Sequence, residues 1–326
     1  MSHIPTLLVA FASFAQVADS AAPAALPQTP ATQAAQPLPN AQPAEPADTE
    51  ADKFVKAAAE KLDAIEYVSA KISQTIRAGG SPVVASGTYR SGPNYRSMFQ
   101  LDVRLGDATA KRMNASDGKT GMIYEKLLDK ESLMTFQVGD VMPLVETREL
   151  PPEVRRTLLL QLPFVKPGDM LRGYLDSIRF DKMSDSTLGE NHRPVTLVEG
   201  AWKDAVVPVV AQNGNVKNVK DIAGDTPQFA RLYLDKETSF PLRIELFRRD
   251  DKAEYKPLFV LDFLEVKSEK LPDSDFTFVP PEKLQAVDIT SQLVAQLNQF
   301  PEKPGTAPGQ KPKTQEVAQP LTPAGK

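Results

Sequence analysis

Two histidines, no cysteine and 42 acidic residues set the limits on what chemistry this 326-residue chain can do. His3 falls in an apolar N-terminal run. His192 stands in the polar turn Gly189-Glu190-Asn191-His192-Arg193, which reads as an exposed loop rather than the base of a catalytic triad. The absence of cysteine removes disulfides, thiolate nucleophiles, Cys-based metal sites and the acylated Cys that tethers a bacterial lipoprotein. No HExxH, no GxGxxG opening a helix and no Walker sequence occurs, so metal hydrolysis, dinucleotide binding and P-loop chemistry have nothing to rest on. Carboxylates are plentiful and leave a carboxylate-only hydrolase open, but no pair is set apart by its surroundings. Asp117-Gly118-Lys119 is a hairpin turn before it is anything catalytic, and the sequon Asn114-Ala115-Ser116 lies in a strand-like run. The expectation is therefore a protein that is not an enzyme, with no catalytic residues, no metal and no cofactor.

A net charge of −4 offers no broad electropositive surface, which argues against nucleic acid as a partner. The short basic pairs Lys111-Arg112, Arg155-Arg156 and Arg248-Arg249 read as solvated faces. Ile4 to Val17 is a short apolar run followed by small residues around Ser20-Ala21-Ala22, which predicts a signal peptide over residues 1–22 and a periplasmic or otherwise exported protein. Residues 23–48, rich in Ala and Pro, and 301–326, rich in Pro and Lys, have too little apolar content to offset the entropy of ordering. One folded domain is expected between them, over residues 49–300.

Within that domain Phe54, Ala58, Leu62 and Ile65 recur at helical spacing to about Glu66. The period then switches to two: Val68, Ala70, Ile72 and Ile76 share one side of a strand, Val83 to Arg90 returns, and a meander continues to about Val138. Pro151-Pro152 opens a Leu-rich helix ended by Pro163, and a second helix spans Asp169 to Ser177. Later strands are predicted at Ile178 to Met183, Pro194 to Trp202, Phe229 to Leu234, Pro241 to Arg248 and Leu258 to Lys267, with Lys203 to Gln228 as an extended surface insertion. Trp202 reads as a core anchor. The amphipathic run Ile289 to Phe300 suits either a cap on the sheet or a partner-binding helix.

Several segments carry a resemblance. They are the Pro93-Asn94 turn, the aromatic strand Tyr95 to Leu105, the Ser116-Asp117-Gly118-Lys119 turn, the hairpin Phe229 to Phe247, and the close from Leu258 to Asp288, with Asp273 to Phe278 and Pro280-Pro281. In this order they resemble the bacterial LolA/LolB-like lipoprotein-sorting (lipoprotein carrier) superfamily, over about Asp52 to Asp288. The resemblance implies an α+β, mainly β fold: a strongly bent, incomplete antiparallel β-barrel with a few helices covering its mouth and an apolar cavity for acyl chains. One departure stands out. The family's transport proteins place an Arg immediately before the Pro-Asn turn, and this chain has Gly92 there, flanked by Arg90 and Arg96.

The functional expectation is an exported, soluble, non-enzymatic carrier or sensor that binds lipid acyl chains or lipoproteins. Its cavity walls would be Phe99, Leu101, Val103, Leu232, Leu234, Ile244, Leu246, Phe259, Leu261 and Phe263, with the strand parity on Leu258 to Lys267 left open. Leu158, Leu159, Leu162, Leu171 and Leu175 would form either a lid or a fixed plug. The alternative is an envelope-associated protein-interaction module with a filled barrel and no lipid cargo. Expected partners are acyl chains and, through the Pro-rich tails, envelope proteins; membrane contact would be transient and the protein a monomer.

Overall fold

The computed structural model describes residues 47–77, 82–105, 108–151, 154, 166–211, 215–222, 226–249, 254–282 and 284–303. Among the described residues twelve strands form one sheet. An N-terminal meander runs through β1 (Val68–Ile76), β2 (Val83–Ser91), β3 (Arg96–Leu105), β4 (Ala108–Asp117), β5 (Thr120–Leu127) and β6 (Lys130–Gln137). A second meander comprises β7 (Ile178–Leu188), β8 (Arg193–Trp202), β9 (Phe229–Asp235), β10 (Pro241–Arg249) and β11 (Tyr255–Lys267). The two are zipped at the centre by antiparallel pairing of β1 with β11, and the short β12 (Val287–Asp288) adds parallel to β6, giving the order 12-6-5-4-3-2-1-11-10-9-8-7. The result is the mainly β, curled and open antiparallel sheet expected of an incomplete barrel.

Sharp bending needs close backbone approach, and two glycines permit it. A Cβ on Gly87 of β2 would lie 1.8 Å from the Gln100 carbonyl oxygen, and one on Gly200 of β8 would lie 2.2 Å from that of Arg179. Directly paired residues share a face, so register defines an inner row of Val198, Leu232, Ile244, Leu261, Gln74, Ala85, Val103 and Ala110 running across eight strands. The main core lies on this inner face, where α1 (Glu50–Asp63) and α3 (Pro167–Ser177) pack together with it. Helix α1 buries Val55, Ala58, Ala59 and Leu62 and begins with a reciprocal capping box between Thr49 and Asp52. The same two side chains reach the edge strand: the Phe180 N–H donates to Asp52 at 2.9 Å, and the Thr49 hydroxyl donates to the Phe180 carbonyl.

Two elements depart from the sequence expectation, and a third resolves an open alternative. Residues after Val138 form a helix, α2 (Val138–Thr147), although it contains Gly139 and Pro143; burial of Val138, Val141, Met142 and Val145 outweighs the poor local propensity. The segment 203–228 is not an extended surface insertion: the single turn α4 (Val207–Val210) and Ile222 bury Val207, Val210 and Ile222 in the main core. The run from Ile289 caps the sheet, as α5 (Thr290–Leu297) packs Leu293 and Leu297 against α2 and against Ile123 and Phe136 of β5 and β6. The Leu-rich helix expected after Pro152 falls almost wholly outside the described residues.

Candidate functional site

The expected wall residues come from four strands and fall in one cluster. Leu101, Val103, Leu232, Leu234, Ile244, Leu246 and Phe263 are buried there, and Phe99, Phe259 and Leu261 are partly buried against it. Pairing of Leu261 with Ile244 and of Phe259 with Leu246 puts the odd residues of β11 on the inner face, while Leu264 on the other parity is half exposed. Phe263 is the hub of an aromatic group, edge-on to Phe240 at 5.4 Å and to Tyr89 at 5.8 Å between centroids. Burial raises the Tyr89 hydroxyl above its ordinary range.

Separate helices, rather than a second sheet, cover this wall. Leu171 of α3 is fully buried in the cluster and Leu175 partly so; Leu158, Leu159 and Leu162 lie outside the described residues. Helix α3 is fastened to α1 through Arg172, which donates to Asp63 and, at 3.1 Å, to Asp169. At the other end of the sheet α2 and α5 cover Ile123 and Phe136, and residues 301–303 tie back to α2: the Glu149 N–H donates to Pro301 at 2.8 Å and the Lys303 N–H to Thr147 at 2.8 Å.

A charged group interrupts the inner face, in addition to the buried amides of Gln74 and Asn114. Arg112 of β4 pairs in register with Leu101 on one side and Glu125 on the other, so it points the same way as the wall. Its guanidinium lies 3.3 Å from the Glu125 carboxylate, and its Nε donates to Asn114 at 3.4 Å. Arg112 is 4% exposed, and burial lowers its pKa against the opposing charge of Glu125. This corrects the reading of Lys111-Arg112 as a solvated pair: Lys111 faces outward towards Asp102, and Arg112 faces in. Strict alternation along β4 carried that signal, but Met113 and Ala115 on the outer face blurred it, because there they form a second apolar cluster with Tyr124 and Leu133.

A strap crosses that outer cluster. After β11 the chain makes a short 3-10 turn (Asp273–Phe276), lays Phe278 against Tyr124 at 5.3 Å, and continues through β12 into α5. Phe276 is fully buried over Gly92, where an added Cβ would meet its ring at 2.9 Å. A side chain at position 92 would therefore have to displace the strap. The flanking arginines hold the strap: Arg90 lies 3.8 Å from the Asp275 carboxylate, and Arg96 pairs with Asp273 while its guanidinium sits 5.5 Å from the Phe276 ring.

Elsewhere on the outer face Glu199 accepts from Arg231 at 2.7 Å, Arg249 at 3.0 Å and Lys182 at 3.3 Å. Burial pushes Glu199 up, but these cations outweigh it and hold the carboxyl below its usual range. Tyr233, half-buried and bonded to Glu245, is pushed up to about 12. Every charge in this ladder has a partner, which makes it a stabilising surface. Among the described residues no three His, Cys, Asp or Glu side chains group to hold a metal, and His192 is exposed in its turn. Trp202 is buried, its indole N–H donating to Pro227 at 2.8 Å. Concavities open at the surface among the described residues. One of about 500 Å³ lies between Ala64 to Tyr67 and Ser268 and Lys270; one of about 360 Å³ borders Arg104, Lys111 and Lys126 and shares only Val103 and Ala110 with the inner face. None of the described helices is long and apolar enough to cross a membrane.

No family model matches the sequence, and no curated protein matches it. Solved structures do. The chain is similar to the Pseudomonas aeruginosa MucA/MucB complex structure, with 12% identity over 71% of this chain, spanning 62% of that one, at a TM-score of 0.32. It is similar to LprF from Mycobacterium bovis, with 9% identity, 68% and 95% coverage and a TM-score of 0.34. A LolA superfamily protein from Nitrosomonas europaea aligns with 10% identity, 69% and 97% coverage and a TM-score of 0.24.

Proposed function

We propose that this chain is an exported, non-enzymatic binding module that takes an acyl chain of a lipid or lipoprotein against the inner wall of its bent sheet. The observation that carries this reading is the largely apolar row from β8 to β4, broken by Gln74 and covered by α1 and α3, which are joined to each other by the half-exposed Arg172–Asp63 ion pair. Such a cover moves without breaking strand pairing once the bonds of Thr49 and Asp52 to Phe180 are released. Each methylene removed from water contributes about 0.8 kcal/mol, so ~15 methylenes supply roughly 12 kcal/mol, enough to displace helical packing and still leave net affinity. Leu101, Val103, Leu232, Ile244 and Leu261 are the proposed contacts, and Leu171 and Leu175 belong to the moving cover.

A second reading is favoured by α1, whose Val55 and Leu62 are 0% and 1% exposed. In that case α1 is a permanent filling, and the protein is an interaction module that binds partners on its surface. Native mass spectrometry of protein purified without detergent, followed by titration with a fluorescent acyl probe, separates the two. Co-purifying lipid or saturable probe binding that Leu232→Asp abolishes supports the acyl reading. Lipid-free protein that rejects the probe overturns it in favour of the filled module.

A further inference from the structure

We propose that the concavity of about 360 Å³ on the outer face of β2 to β5 is a binding site for a phosphate group. Strand register sets its charges in one row: Asp102 of β3 pairs with Lys111 of β4, Lys111 with Lys126 of β5, and Lys126 with Glu131 of β6. Two lysines therefore stand directly opposite each other, an arrangement that destabilises a sheet. Their carboxylate partners lie on the flanking strands, Asp102 at 3.4 Å from Lys111 and Glu131 at 2.5 Å from Lys126, so register puts neither carboxylate between the two lysines. Arg104 adds a third cation to the lining; it is exposed and makes no ion pair among the described residues. The hydroxyls of Ser86, opposite Asp102, and Thr109, opposite Arg104, are further donors in the lining. Asp102 is the one acid among the lining residues, and it already accepts from Gln100 at 2.8 Å. A phosphate suits this set better than a carboxylate does, because it carries about −1.5 to −2 charges and three divergent acceptor oxygens that cations on three strands can reach from separate directions. Lys111 and Lys126 are partly exposed, and an ammonium engaged by one carboxylate keeps donors to spare. The volume lies within the range of small-ligand sites. Val84, 47% exposed and paired with Arg104, and Leu128, 58% exposed and next after β5, set apolar surface beside the cations. That neighbourhood fits a phosphate carried by a lipid, and a soluble monoester offers the same charge. The site is on the opposite face from the apolar wall and does not depend on acyl binding there.

The test uses the full chain at fixed ionic strength with two probes: glycerol 3-phosphate, titrated calorimetrically, and phosphatidylcholine vesicles with or without phosphatidic acid, read by co-flotation. Wild type is expected to bind glycerol 3-phosphate saturably, which assigns a soluble phosphate, or to float only with the phosphatidic acid vesicles, which assigns a lipid head group. Arg104→Gln and Lys126→Gln are each expected to weaken that binding about tenfold, the loss of one charge-assisted hydrogen bond. Lys53→Gln removes the same charge from an exposed position on α1, outside the lining, and is expected to bind like wild type. Thr109→Glu brings a competing carboxylate to the lining without removing a cation and is expected to abolish binding, which keeps the proposal open to refutation if Arg104→Gln does not fold. Absence of saturable binding to either probe, equal flotation with both kinds of vesicle, or a loss in Lys53→Gln as large as in Arg104→Gln overturns the site and leaves the acyl-binding reading untouched.

Discussion

Replacing Phe276 by alanine tests whether the C-terminal strap is held by one ring. That ring is fully buried, rests on Gly92, and has the Arg96 guanidinium at 5.5 Å. Truncating a core Phe to Ala costs about 3–5 kcal/mol, the upper part of the range coming from the cavity left behind. Loss of the cation–π contact adds about 0.5–1 kcal/mol, while Arg96 keeps Asp273 and Tyr67 as partners. Against a domain stability of about 5–15 kcal/mol this is a large fraction. The strap is a single segment laid over the sheet between β11 and α5, so the loss should appear first as local release. Urea denaturation followed by circular dichroism gives the global term, and hydrogen exchange at Leu293 and Leu297 reports whether α5 has come away from α2. A loss below about 1 kcal/mol with exchange at α5 unchanged would refute the reasoning, because the ring would then not be what fixes the strap.

Gly92→Arg should expel the Phe276 ring and reproduce the exchange phenotype of the alanine variant; wild-type protection would contradict the proposed clash. Asp235 is held below its usual range: burial raises it, but hydrogen bonds from Thr238 and Arg193 prevail. Its stabilisation is therefore complete above the ordinary aspartate value near pH ~4 and disappears as pH falls through the depressed folded value. Asp235→Asn should cost on the order of 2 kcal/mol at pH 7 and flatten the acid limb of a stability profile; an unchanged limb would count against the assignment. Ending the chain after Lys303 should leave the urea midpoint unmoved. Ending it after Phe300 should lower the midpoint, because the bonds from residues 301–303 to α2 are lost.

The strands were legible because alternation survives wherever one face is wet: β1 runs Val68, Ala70, Ile72 against Ser69, Lys71, Ser73, and its bounds follow from that. Helix α1 was legible for the same reason at period 3.6. Legibility failed where apolar residues lie on both faces. In β4 the outer face is covered by the strap, so Met113 and Ala115 look as buried as Ala110 and hide the inward direction of Arg112. Helix α2 was missed because Pro143 and Gly139 suppress its local signal, and only contact with α5, some 150 residues later in the chain, rescues it. Val207, Val210 and Ile222 follow no period at all, and their burial is decided by the strands they land on.

The junction of Thr49 and Asp52 with Phe180 joins two jobs that most folds keep apart. A sheet margin offers unsatisfied amides to any passing chain, and here the start of a helix closes part of that margin with its own capping side chains. Trimming the protein beyond Thr49, whether by a protease or by design, would therefore unravel a helix and at the same stroke bare a template on which other copies can polymerise.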